Sequence, residues 1–169
     1  MPELLDVDVT RVDTKPKYNL GAKYCPKGLS DPEEFMYVKH NAGSNSVTVV
    51  AGYLAYFIGA GTSTPERYEA TADYNSATTY VTLTNMPAGF YQSVPDDGEY
   101  CWVQTKGPNR FAMLSANDIA QNSLIQPDTS ANGQVKAYAS GVVVVASAKA
   151  ADVGTSQAIG TALINIPTI

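Results

Sequence analysis

From Phe35 onward, hydrophobic positions recur at every second residue or in short apolar runs, and never at a sustained helical spacing. Phe35-Met36-Tyr37-Val38-Lys39 leads into the turn-rich Asn41-Ala42-Gly43-Ser44-Asn45. Val47-Thr48-Val49-Val50-Ala51 follows, and then Tyr53-Leu54-Ala55-Tyr56-Phe57-Ile58. β-branched and aromatic residues bounded by Gly and Asn clusters are the pattern of strands. Tyr80–Thr84, Phe90–Val94, Tyr100–Thr105, Arg110–Leu114, Leu124–Pro127, Gln134–Tyr138, Gly141–Val145 and Ile159–Ile166 read the same way. Two short helical turns are expected beside them. One is at Pro65–Glu69, with Thr64 as cap and Pro65 in the first turn, and the other at Ser115–Asn122. Many short strands without long helical periods predict an all-β sandwich or barrel.

The first 30 residues differ in texture. They are rich in Pro, Lys, Asp and Gly, and only Leu5-Asp6-Val7-Asp8-Val9 alternates. Pro16 and Pro26 favour extended backbone before them. The organisation predicted is an extended N-terminal arm over residues 1–30, then a single β-rich domain over residues 31–169. Residues 59–89, rich in Tyr and Thr, are a candidate insertion in that domain.

Asp96-Asp97-Gly98 predicts a hairpin turn, since Asp and Gly accept left-handed backbone. The strand after it holds the only tryptophan, and Lys106-Gly107-Pro108-Asn109 is expected to end it. Strand parity places Tyr100, Trp102 and Gln104 on one face and Cys101, Val103 and Thr105 on the other. Cys101 and Trp102 therefore do not share a pocket, and the flanking residues supply no base or cation to activate the thiol. Tyr100, Trp102 and Val103 are expected to be structural anchors. Burying the indole is worth about 2–3 kcal/mol.

Composition narrows the classes of function. With 169 residues, one domain suffices, and 16% charged residues is well below the usual level of about a quarter. The net charge is −5 and the basic residues are dispersed, which argues against nucleic acid, whose phosphates require clustered Lys and Arg. No apolar run approaches a membrane-spanning length. MPELLDVDVT lacks the basic and apolar regions of a signal peptide, so synthesis in a cytoplasm is expected, with Cys25 and Cys101 as free thiols. His40 has no nucleophile elbow or ligand set to serve, and reads as a surface turn residue. No catalytic residue, metal ligand or cofactor site is expected, and the chain reads as non-enzymatic.

Gly98-Glu99-Tyr100-x-Trp102-Val103-Gln104-x-x-Gly107 resembles the central signature of the head-decoration, or capsid-cement, family of tailed bacteriophages. Further pieces agree in order: Tyr18-x-Leu20-Gly21, Tyr37-Val38-Lys39 with a following Gly52, Ile119-Ala120-x-Asn122-x-Leu124-Ile125-x-Pro127, and Ile159-Gly160-Thr161-Ala162-Leu163. Cys101 stands where members often carry a small residue such as Gly, and Asn122 where they often carry Gly. The resemblance implies a virion protein of the outer capsid surface, commonly a trimer, whose partners are the major capsid protein and other copies of itself. It points to Lys15, Lys17, Tyr18 and Leu20 as capsid or subunit contacts, because an arm can add a strand to a neighbour's edge. The second reading is another virion component, such as a tail or head fibre, whose tyrosines between 53 and 91 bind glycans.

Overall fold

The computed structural model describes residues 7–27, 33–58, 68–74, 87–113, 124–138, 146–148 and 159–165. Among these residues the regular elements are ten strands joined in one sheet, so the fold is all-β. Five of them close on themselves. β2 (Glu34–His40), β4 (Glu69–Thr71), β3 (Leu54–Phe57), β5 (Pro87–Tyr91) and the first half of β6 (Tyr100–Met113) follow one another round a ring that β6 completes by pairing with β2. Closure removes the free edges that an open sheet exposes. Every pairing in the ring is antiparallel except β2 with β4, where Lys39 lies opposite Glu69 and His40 opposite Ala70.

A five-stranded ring is narrow, and its sequence fits. Met36, Val38, Cys101 and Val103 of β2 and β6 fill the interior with Tyr91 at the end of β5, and the shorter strands otherwise bring Ala55, Ala70 and Ala88 to it. Small residues on three walls make room for the large ones on the others. β5 approaches β6 so closely that a Cβ on Gly89 would stand 2.9 Å from the Cβ of Val103. Cys101 and Val103 face Val38 and Met36 across the β2–β6 pair, while Trp102 faces Tyr37 on the outside. The expected parity of Cys101 and Trp102 is the one observed.

β6 departs from expectation. The predicted turn at Lys106–Asn109 is absent, and the strand runs through Arg110 to Met113 without reversing. Phe35 pairs with Gln104 but Glu34 with Lys106, so Thr105 is the extra residue of a bulge. Gly107 takes φ 96°, and the Gln104 side-chain amide donates to the carbonyls of Lys106 and Pro108, both at 3.1 Å. Gly-Pro here bends a strand, as glycine does at a barrel corner. Past the bend β6 leaves the barrel and pairs with β10 (Ile159–Asn165), which continues to β9 (Ala146–Ala148), β7 (Leu124–Pro127) and β8 (Val135–Ala137).

The β7–β8 loop reaches back onto the barrel: the Leu54 N–H donates to the Gly133 carbonyl at 2.6 Å, and the Tyr74 N–H to Asn132 Oδ1 at 3.0 Å. Val47–Ala51, expected as a strand, forms no ladder. It is a plug instead, with Val49 buried, Val47 packed on the core and Val50 exposed. The loop before it is tied down by Asp73, whose carboxylate accepts from the Asn45 backbone at 3.1 Å and from its side-chain amide at 2.9 Å. Within residues 59–89 lie β4 and the start of β5, both walls of the barrel. Glu69, expected to close a helical turn, begins β4. Residues 65–67 and the strands or turns expected at 80–84, 115–122 and 141–145 lie outside the described residues.

Candidate interaction face

The arm lies over the outer wall of β2 and β6. Parity turns Phe35, Tyr37, Tyr100 and Trp102 outward there, where four exposed aromatic rings would be costly in water. Val7, Val9, Tyr18, Ala22 and Tyr24 cover them. The Tyr18 ring is 5.2 Å from both Tyr37, edge-on, and Trp102. Val7 and Val9 are partly buried and Asp8 exposed, so the alternation in that stretch marks an inner side without a strand.

Polar bonds fix the arm at defined points. The Asp13 N–H donates to the Tyr100 carbonyl at 2.8 Å, and the Tyr100 N–H returns to Asp13 at 2.9 Å. The Asp13 carboxylate, largely buried, accepts from Arg11 Nε at 2.8 Å and from the Tyr37 hydroxyl at 2.9 Å. That hydroxyl in turn accepts from the Lys17 N–H at 3.3 Å. Burial above all, then the neighbouring Asp13 carboxylate, pushes the Tyr37 phenol well above its ordinary range, so it stays a neutral donor. Further along, Gly21 and Ala22 exchange backbone bonds with Tyr37, and β1 (Lys23–Tyr24) pairs with Phe35 and Met36 of β2.

With its inner side so occupied, the arm presents the other side to solvent. Lys15, Lys17 and Leu20 point outward, and Lys17 Nζ lies 5.6 Å over the Tyr18 ring. Tyr18 itself is drawn into the seam. Of the three anchors, Trp102 and Tyr100 belong to this outer cluster and Val103 to the barrel interior.

The remaining candidates fall elsewhere. His40, expected at the surface, is 1% exposed, since it shares the inner face of β2 with Met36 and Val38. Its Nδ1 is 2.9 Å from the Tyr91 hydroxyl, and burial lowers its pKa below the ordinary value. Asp96-Asp97-Gly98 forms the expected turn, closed by the Glu99 N–H donating to the Asp96 carbonyl at 3.1 Å. Among the tyrosines between 53 and 91, Tyr56 and Tyr91 are fully buried. Tyr53 and Tyr68 are half-buried, lying where a side chain on Gly133 and on Gly21 would have to go. Tyr80 lies outside the described residues.

Cys25 is exposed and Cys101 buried, and neither is in a disulfide. Burial raises the Cys101 thiol far above its ordinary range, so it behaves as a small apolar residue. Among the described residues no three His, Cys, Asp or Glu side chains gather as metal ligands would. Compared with known protein families, curated proteins and solved structures, the chain matches none.

Proposed function

We propose that the chain is a structural protein of a tailed-phage virion, a capsid-decoration protein that binds the outer shell and cements neighbouring capsid subunits, with no catalytic role. The observation that carries this reading is the two-sided arm. Its inner side is consumed by the aromatic seam, while Lys15, Lys17 and Leu20 are exposed on the other, where another surface would meet them. Three of the stretches that resemble the decoration family support it, because they fall on the parts that build this face. Tyr18 and Gly21 lie in the arm, Tyr37–Lys39 in β2, and Gly98–Gly107 in the turn and β6. Cementing needs no pocket. Many modest contacts repeated round a symmetric lattice give the avidity, and trimers at symmetry axes supply the repetition.

The test is co-sedimentation of the purified full chain with undecorated phage heads, together with the temperature at which those heads release DNA. The native chain is expected to bind and to raise that temperature. The double variant Lys15→Glu/Leu20→Glu, at two exposed positions outside the seam, is expected to bind at least about tenfold more weakly, the loss of roughly 1.4 kcal/mol or more. Undiminished binding by the variant would remove the arm from the contact. Failure of the native chain to bind heads, with retention on host polysaccharide, would replace the reading by that of a glycan-binding virion component.

A further inference from the structure

We propose that His40 is an acid-responsive latch that sets how firmly the N-terminal arm is anchored to the barrel. The inference stands apart from the capsid reading and rests on the position of one residue. His40 ends β2 inside the barrel mouth, and its backbone holds the β5–β6 turn from both sides. The His40 N–H donates to the Glu99 carbonyl at 2.7 Å, and the Gly98 N–H donates to the His40 carbonyl at 3.0 Å. The next residue after Glu99 is Tyr100, whose backbone makes the two-way bridge to Asp13 that pins the arm. The turn residue that His40 of β2 holds and the arm anchor at the start of β6 are thus consecutive in the chain. Whatever displaces the turn from His40 acts on Tyr100 one residue later.

The imidazole is the only part of this chain of contacts with an ordinary pKa near neutrality. It is walled in by β5 through Tyr91 and by β4 through Ala70, with Cys101 of β6 beyond Tyr91. The charged groups that face it are Asp97 and Asp96 of the turn and Glu69 of β4. Glu99 turns its carboxylate to the Asp96 N–H at 2.8 Å, and Lys39, on the opposite face of β2, pairs with Glu69 at 3.4 Å. A hydrogen bond to the Ala70 backbone and then the three acidic groups favour a charged ring, but the loss of water on burial outweighs them and keeps it neutral. An opened form regains the ordinary pKa. Between the ordinary value and the lower value of the closed form, the opened state therefore takes up a proton that the closed state does not. Opening is then favoured about tenfold for each pH unit of descent. Above the ordinary value the latch is closed.

The test uses the full chain. Its single histidine gives one imidazole signal, so an NMR titration reads the His40 pKa directly. Hydrogen exchange, corrected for the intrinsic pH dependence, is followed in parallel for peptides covering 7–24, 96–101 and 54–57. The expected result is a pKa below the ordinary value for His, with exchange of the arm and turn peptides rising about tenfold per pH unit between that ordinary value and the measured pKa. The β3 peptide should stay protected, and His40→Gln should abolish the rise. A pKa at or above the ordinary value, or flat exchange of arm and turn below it, would overturn the latch. So would opening of β3 in step with them, which is global unfolding. Should His40→Gln fail to fold, the native titration and exchange decide alone.

Discussion

Two tyrosines show how the partner of a hydroxyl, rather than its burial, decides its worth. Tyr37 and Tyr56 are both fully buried. The Tyr37 hydroxyl donates to Asp13 and accepts from Lys17, whereas the Tyr56 hydroxyl has no hydrogen-bond partner among the described residues. Removing the first takes the tyrosine donor from Oδ2 of a largely buried carboxylate whose Oδ1 keeps Arg11, so Tyr37→Phe should destabilise the fold by about 1–3 kcal/mol. Removing the second deletes a desolvated group that gains nothing in return. Tyr56→Phe should be neutral or stabilising by about 1 kcal/mol. Urea midpoints of the two variants against the native chain check both signs, and a loss at Tyr56 equal to that at Tyr37 would contradict the argument. Nothing in the sequence separates these two residues, since each is a tyrosine in an apolar strand. His40 is different: it follows Met36 and Val38 at a spacing of two, and that parity already placed it inside. A strand was taken to end where it in fact buried one more residue.

At the scale of elements, alternation reported which side a residue faces more faithfully than whether a ladder forms. Cys101 and Trp102 fell on opposite faces as parity requires, and Val49 turned inward as its neighbours' pattern requires, yet Val47–Ala51 is no strand. Its burial comes from Asp73 holding the preceding loop, a contact between residues 45 and 73 that local pattern does not record. Gly107-Pro108 misled for a related reason. The same two residues stop a strand or bend it, and only the continued pairing with β10 decides between them. The candidate face was legible in part: the arm was visible as a change in composition, but its inner side depends on Tyr37 and Trp102 becoming neighbours across β2 and β6. The two thiols test this layering. Alkylation of the native chain should add one label, at Cys25, and a second only in denaturant. The Cys25 reaction should itself be slow, because partial burial and then the nearby Glu34 raise its pKa. Two labels on the native protein would mean that Cys101 is not sealed in the barrel.

For the whole molecule, β6 is the member common to both halves. Tyr100 to Gln104 close the barrel against β2 and β5, and Lys106 to Met113 carry the second group of strands through β10. A break between the halves would have to occur inside a continuous strand. It would also have to free the Leu54–Gly133 and Tyr74–Asn132 bonds that tie the β7–β8 loop to the barrel. These links make separate unfolding of barrel and outer strands costly, so one cooperative transition is expected. Trp102, the only tryptophan, sits between arm and barrel and reports their separation by fluorescence, while far-UV circular dichroism reports all strands together. At neutral pH, where the His40 latch is closed, the two signals should trace one urea curve with one midpoint. Asn132→Ala, which takes the acceptor from a half-buried backbone N–H, should move both signals together by about 1 kcal/mol. A Trp102 transition that precedes the dichroism change would show the arm leaving first, with the barrel and its outer strands still intact.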